Sequence, residues 1–234
     1  MYITDNKGIV LGSAAGPPKR TLIESSYDRL RADIINGKLK PGSKLRIQEL
    51  GKDYETGASP LREALNRLAG EGFVTTESQR GFRVSAISLD DLKDLTRMRI
   101  MLECEALSES IRSGDDDWEA NIIAAFHLLT KADSIRLQNF PEWEKRNQEF
   151  HQSLVAACRS PWLLRLRHTL YEQHKRYRSL AIQARGDSRD LHAEHRAIKE
   201  ATIARDIRAA CKATEDHILS TMQIDEHVLM LHGD

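Results

Sequence analysis

Leu22, Ile23, Leu30, Ile34 and Ile35 recur at helical spacing with charged residues between them, so a helix is expected to open at Thr21. Asn36-Gly37 gives it a C-terminal stop, and Lys40-Pro41-Gly42 reads as a turn. Two short helices are expected next, over 46–54 and from 60 to about 70. For the second, Ser59 is the expected cap and Pro60 the first helical position. Its apolar stripe is Leu61, Ala64, Leu65 and Leu68, which leaves Arg62, Glu63, Asn66 and Arg67 off the buried side. Residues 73–76 and 82–84 then read as strands, with 77–81 as a polar hairpin tip. Three helices followed by a hairpin predict a winged helix–turn–helix over residues 21–87. In that fold the second short helix enters a DNA major groove, and the hairpin tip lies over the neighbouring backbone.

From Ser88 onward the strand pattern disappears. Helical periodicity runs from 88 to about 111, 117 to 132, 141 to 158, 161 to 184, 188 to 205 and 206 to 229, with breaks at Ser113-Gly114-Asp115 and Gly186-Asp187. The fold class expected is therefore mainly α: the winged helix–turn–helix, then an all-α bundle of about six helices over 88–234. Residues 1–20, with Gly8, Gly12, Gly16 and Pro17-Pro18 and no periodicity, read as a flexible arm.

Composition narrows the function classes. No run of about 18 apolar residues occurs, so no membrane span is expected. The first 20 residues lack the basic start and apolar stretch of a signal peptide. Cys104, Cys158 and Cys211 are odd in number and far apart, which suits free thiols in a reducing cytoplasm rather than a disulfide framework. Formal net charge is zero, but it is unevenly placed. Residues 19–88 carry 13 Lys and Arg against 9 Asp and Glu, whereas residues 89–234 carry 21 against 25. A basic first part on an acidic second part suits a DNA contact confined to the first.

The segment Leu39-Lys-Pro-Gly-Ser-Lys-Leu, then Glu49-Leu, Ser59-Pro-Leu-Arg-Glu-Ala-Leu, Arg67-Leu, Glu71-Gly-Phe-Val and Arg80-Gly-Phe-Arg-Val, resembles the GntR family of bacterial regulators. Arg99-Ile-Met-Leu-Glu, Phe150-His151 and Glu194-His-Arg resemble the all-helical FCD domain of its FadR-type branch. Gly57-Ala-Ser-Pro-Leu-Arg-Glu-Ala-Leu, Leu102-Glu-Cys-Glu-Ala-Leu, Ser160-Pro-Trp-Leu-Leu and Arg176-Tyr-Arg are similar to the members that repress glutarate and 4-aminobutyrate catabolism. The resemblance implies a homodimeric repressor on a palindromic double-stranded operator, released by a small carboxylate effector such as glutarate. Many relatives read Ser-Arg-Thr-Pro where this chain has Gly57-Ala58-Ser59-Pro60, so an arginine is missing at Ala58. Arg62 becomes the principal expected DNA contact, with Ser59, Arg46, Asn66, Arg80 and Gly81 as further ones. The alternative for Arg62 is a surface pair with Glu63 or Glu49. Lys38, Lys40 and Lys44 are either phosphate contacts or solvated loop charges.

Asn147 and His151 stand at i and i+4 on one expected helix, and His195 and His217 on two later ones. Three imidazoles and one oxygen donor suit a divalent metal, zinc or nickel, with positions open for a ligand. The alternative is that each histidine is exposed or hydrogen-bonded in the core. The resemblance implies the metal, since these positions match FCD ligands, except that an aspartate usually stands where Asn147 does. Arg99 is expected either to grip the effector carboxylate or to pair with Glu103 one turn along. Arg146 and Tyr171 are further effector candidates, and Trp118, Trp143 and Trp162 are expected in the core or an interface. Two rivals remain: a metal-dependent enzyme in the bundle, and a regulator whose metal is purely structural. Against the enzyme, no paired Glu-x-x-His, HExxH or nucleophile elbow occurs.

Overall fold

Thr21 opens the first helix through a capping box. Its hydroxyl accepts from the Glu24 amide at 3.2 Å, and the Glu24 carboxylate accepts from the Thr21 amide at 2.9 Å. The structure is a computed structural model that describes residues 20–77, 81–185 and 190–220, the side chains of 181–185 excepted. Helix α1 (Leu22–Ile35) ends at Asn36, and Gly37 takes the left-handed φ of 74° that turns the chain away. Strand β1 (Lys44–Leu45), α2 (Ile47–Asp53), α3 (Ala58–Gly70), β2 (Val74–Glu77) and β3 (Gly81–Val84) complete the winged helix–turn–helix. The sheet is antiparallel in the order β1-β3-β2, with Arg83 of β3 opposite both Lys44 and Thr75. Leu30, Leu61, Leu65, Leu68, Phe73 and Val84 form the centre of its core.

Two details differ from the sequence reading. Strand β1 was not expected, because two residues carry no period. It exists because β3 offers it a free edge. Helix α3 starts at Ala58 with Gly57 as its cap, and neither Ser59 nor any other side chain caps it. Pro60 therefore falls in the third helical position. It is tolerated there because the first turn's N–H groups have no partner inside the helix.

Six helices follow among the described residues: α4 (Leu89–Ser113), α5 (Asp116–Asp133), α6 (Phe140–Leu154), α7 (Pro161–Arg185), α8 (Leu191–Ile203) and α9 (Ile207–Leu219). Side-chain caps set their starts: Ser88 for α4, Asp115 for α5, Asn139 for α6, Asp190 for α8 and Asp206 for α9. Their shared core contains Leu107, Trp118, Ile122, Trp143, Phe150 and Ile198. Trp162 is instead 67% exposed, with the Arg165 guanidinium over its ring. The expected arm lies outside the described residues but for Arg20, as does the expected helix beyond Ser220.

Helix α7 reaches from the bundle to the winged helix. Arg31 of α1 pairs with Glu172, Gln173 donates to the Glu71 carbonyl at 2.5 Å, and Arg176 donates to the Ser85 carbonyl. Gly72, at φ 82°, passes so close that a Cβ there would meet the Gln173 amide at 3.4 Å. Gly114 is tighter still, since a Cβ would lie 2.1 Å from the Trp118 ring. Gly114→Ala is expected to lower stability by about 1–3 kcal/mol through forced repacking of Trp118. Gly70→Ala, where a Cβ meets nothing within 4 Å, is expected to leave the urea midpoint unchanged or higher.

Candidate functional site

Helix α3 turns Leu61, Ala64, Leu65 and Leu68 inward, so its other side is free. Ser59, Arg62 and Asn66, at i, i+3 and i+7, form an exposed stripe on that side. Arg62, Arg46, Lys44 and Gln48 line one groove together with Glu77 and Gly81 of the wing. The structure thus gathers Arg46, Arg62 and Gly81 around one concavity. Arg46 pairs at the surface with Glu49 at 2.9 Å, and Lys38 with Asp33 at 3.0 Å. Neither Glu49 nor Glu63 pairs with Arg62 among the described residues. Arg80 lies outside them.

In the bundle, three helices bring imidazoles to one point. Helix α6 buries Trp143, Asn147, Phe150, His151 and Leu154. Helix α8 buries Leu191, His195, Ile198 and Thr202, and α9 buries Ala210, Thr214, His217 and Ile218. On each helix the histidine occupies an apolar-stripe position, so burial of the stripe drives the rings together. Their centroids lie 4.7–5.3 Å apart. One ring nitrogen from each falls within 4.8 Å of the others. Phe150 walls the cluster, its ring 5.4 Å from those of His151 and His195.

The donor chemistry fits a divalent cation. The Nε2 atom of His151 and the Oδ1 atom of Asn147 are buried, with no hydrogen-bond partner among the described residues. Such orphaned acceptors are costly unless something binds them. Burial, reinforced by His217 and His195, holds the His151 pKa well below its usual 6.5, which keeps the ring neutral with a lone pair available. His217 Nδ1 lies 2.7 Å from the Glu194 carboxylate. That contact fixes the ring and turns its other nitrogen inward, as outer carboxylates do for metal-bound histidines.

Beside the cluster, α4 and α7 build a buried ionic layer. Arg99 is 1% exposed, and its Nε lies 3.4 Å from Glu103. The other Glu103 oxygen accepts from Arg167 Nε at 2.5 Å, and Arg167 also donates to the His151 carbonyl at 2.9 Å. Arg178 is paired with Glu144. Arg167, Tyr171, His174 and Arg178 share one face of α7. The Tyr171 ring lies 4.8–5.8 Å from Arg99, Arg167, Lys175 and Arg178. Arg99 Nη1 is 2.9 Å from His174 Nδ1, while Nη2 is buried with no partner among the described residues. Burial, opposed by Glu103, moves the Arg99 pKa down from its usual value.

Arg99, Tyr171 and Asn147 are therefore neighbours. Arg146 is not with them. One residue before Asn147, it is turned about 100° around the helix and pairs with Glu142 and Glu149 at 2.9 and 2.8 Å near the surface. The sequence reading missed Glu103's second partner Arg167, His174 and the Arg178–Glu144 pair. The available signal was a set of charged residues at helical spacing on α7, which only burial distinguishes from a solvated face.

A winged helix–turn–helix with an exposed polar stripe, joined to a helical bundle with a buried ligand-type site, defines a transcription regulator. The chain belongs to the GntR family, in the branch that carries an FCD domain. The profile of bacterial regulatory proteins of the gntR family matches residues 22–84, and that of the FCD domain matches residues 94–220. The HTH-type transcriptional regulator BphR of Paraburkholderia xenovorans is 40% identical over 209 residues, covering 88% of this chain and 85% of that one. The HTH-type transcriptional repressor GlaR of Escherichia coli K12 is 35% identical, covering 87% and 95%. Among solved structures, E. coli McbR/YncC shares the fold with a TM-score of 0.71 at 17% identity, covering 92% of this chain and all of that one. These relatives are regulators, not enzymes. No helix among the described residues is long and apolar enough to cross a membrane.

Glu103 is the test of the ionic layer. Glu103→Gln is expected to cost about 3–5 kcal/mol, because Arg99 and Arg167 are left buried without their shared anion. Exposed Glu105→Gln should stay within about 0.5 kcal/mol of wild type in urea denaturation.

Proposed function

We propose that this chain is a repressor that leaves its operator when a small carboxylate binds in the bundle beside a divalent metal. The observation that carries the reading is the adjacency of two unsatisfied sets: the Asn147–His151 donors facing His195 and His217, and the buried Arg99 Nη2. Residues 21–87 would read DNA and residues 88–234 would sense the effector. Arg62 would contact bases or phosphates in the major groove, flanked by Ser59 and Asn66, with Arg46, Arg80 and Gly81 along the wing side. Two copies would present two such helices to a palindromic site.

Asn147, His151, His195 and His217 would hold the metal, with zinc or nickel as the chemistry favours. The metal would supply a Lewis-acidic point that draws in a carboxylate oxygen. Arg99 would take a second oxygen, with Tyr171 forming the wall. Glutarate is the first acid to try, on the resemblance to glutarate-responsive members. Helix α7 is the natural transmitter: Arg167, Tyr171 and Arg178 face the site, and Glu172, Gln173 and Arg176 hold the winged helix. A ligand that repacks the first set biases the placement set by the second, through a difference in affinity for the two states.

Fluorescence anisotropy on operator DNA tests both halves. Arg62→Ala is expected to weaken operator binding by roughly 1–3 kcal/mol. His195→Ala or removal of metal by a chelator should leave operator binding intact and abolish release by glutarate. Unchanged release in both would reduce the metal to a structural part. Arg31→Ala, which cuts the Glu172 contact, should preserve glutarate binding in a thermal-shift assay while shrinking its effect on DNA affinity.

A further inference from the structure

Asn147 differs in charge from an acidic ligand, and the structure fixes how its neutral amide is presented. Its Nδ2 donates to the Tyr171 hydroxyl at 3.0 Å. The carbonyl Oδ1 must then point the other way, and it is the atom left buried without a partner among the described residues. Tyr171 cannot readily turn aside, since its ring lies against Arg99 and Arg178 at 4.8 and 5.1 Å. With Asn147 as fourth ligand, the donor set would be an amide oxygen and three imidazoles, none of them anionic.

The consequence is electrostatic. A carboxylate among the donors would leave a bound divalent ion with one net charge, whereas this set leaves two. The nearby acids are already engaged. Glu103 serves Arg99 and Arg167, and Glu144 serves Arg178 and Lys175. Glu194 is paired with His217 Nδ1. An uncompensated charge in a buried site is expensive until an anion joins it. Arg99 Nη2, buried and without a partner among the described residues, adds a second cationic point, on a guanidinium that lies over the Tyr171 ring and pairs with no acid but Glu103 among those residues.

We propose, resting on the metal-and-carboxylate reading above, that Asn147 makes cation and effector binding mutually dependent and selects dianionic acids over monoanionic ones. The anion supplies the negative charge that the amide withholds. By linkage, the dianion tightens the metal by the same factor as the metal tightens the dianion.

The test is zinc affinity of the full chain by competition with a chromophoric chelator, with no acid, with succinate or glutarate, or with pentanoate. Pentanoate has the chain length of glutarate and one carboxylate. In wild type a dianion should tighten zinc binding about tenfold or more, within the roughly 5–150-fold span of ordinary coupling, and pentanoate should do far less. Asn147→Asp should bind zinc more tightly without any acid and lose most of the dianion effect. Equal zinc affinity in glutarate, succinate and pentanoate overturns the proposal, and so does an Asp variant that keeps the full effect. The wild-type comparison needs no variant, so it stands even if Asn147→Asp fails to fold. Zinc affinity unaffected by His195→Ala is a different failure, because it removes the metal site itself.

Discussion

Glu103 holds the helical bundle in register. Its two oxygens serve two buried guanidiniums, Arg99 on its own helix and Arg167 on α7. Arg167 passes the connection on to the His151 carbonyl of α6. One carboxylate therefore ties together α4 and α7, and through Arg167 the helix that carries two of the candidate metal donors. Placing three charges out of water is expensive, and their mutual attraction offsets that cost only with good geometry. Arg99, held in this layer, adjoins the Tyr171 ring, whose hydroxyl accepts from the Asn147 amide.

The two halves have separate cores, one around Leu61 and Leu65 and one around Phe150 and Ile198. Several polar contacts cross the join between them, beside a small apolar cluster of Ile87, Leu92, Tyr177 and Leu180. Arg31 with Glu172, Gln173 with the Glu71 carbonyl, and Arg176 with the Ser85 carbonyl all come from α7. Tyr27 adds a hydrogen bond to Glu71 at 2.7 Å inside the winged helix, close to the same seam. Hydrogen bonds and ion pairs of this kind can be exchanged for others at little net cost, unlike an apolar core.

The winged helix was legible because its periods change within a short span. Leu61, Ala64, Leu65 and Leu68 show the helical period, and Phe82 and Val84 the strand period. Gly57 as the cap of α3 was not legible, because a proline fits anywhere in the first turn and Ser59 is a better capping residue on paper. The two residues of β1 are too few to show alternation. In the bundle, Ser88, Asp115 and Gly114 marked their helix ends correctly, since capping depends on local hydrogen bonding. Arg146 could not be placed from the sequence, because adjacency to Asn147 along the chain is not adjacency around a helix; it pairs with Glu142 and Glu149 instead.

The sequence by itself determined the local order: which stretches are helical, where most of them start, which face α3 buries, and to which family the chain belongs. Those properties depend on neighbours within a turn or two. It also named His151, His195 and His217, but as three separate positions with two readings each. Only the tertiary structure decided that the three rings meet, that the Asn147 amide donates to Tyr171 and leaves its oxygen unpartnered, and that Arg99 pairs with Glu103 while its Nη2 has no partner among the described residues. Each of those facts is a distance between residues far apart in the chain. Such distances are set by how whole helices pack, which no local pattern encodes.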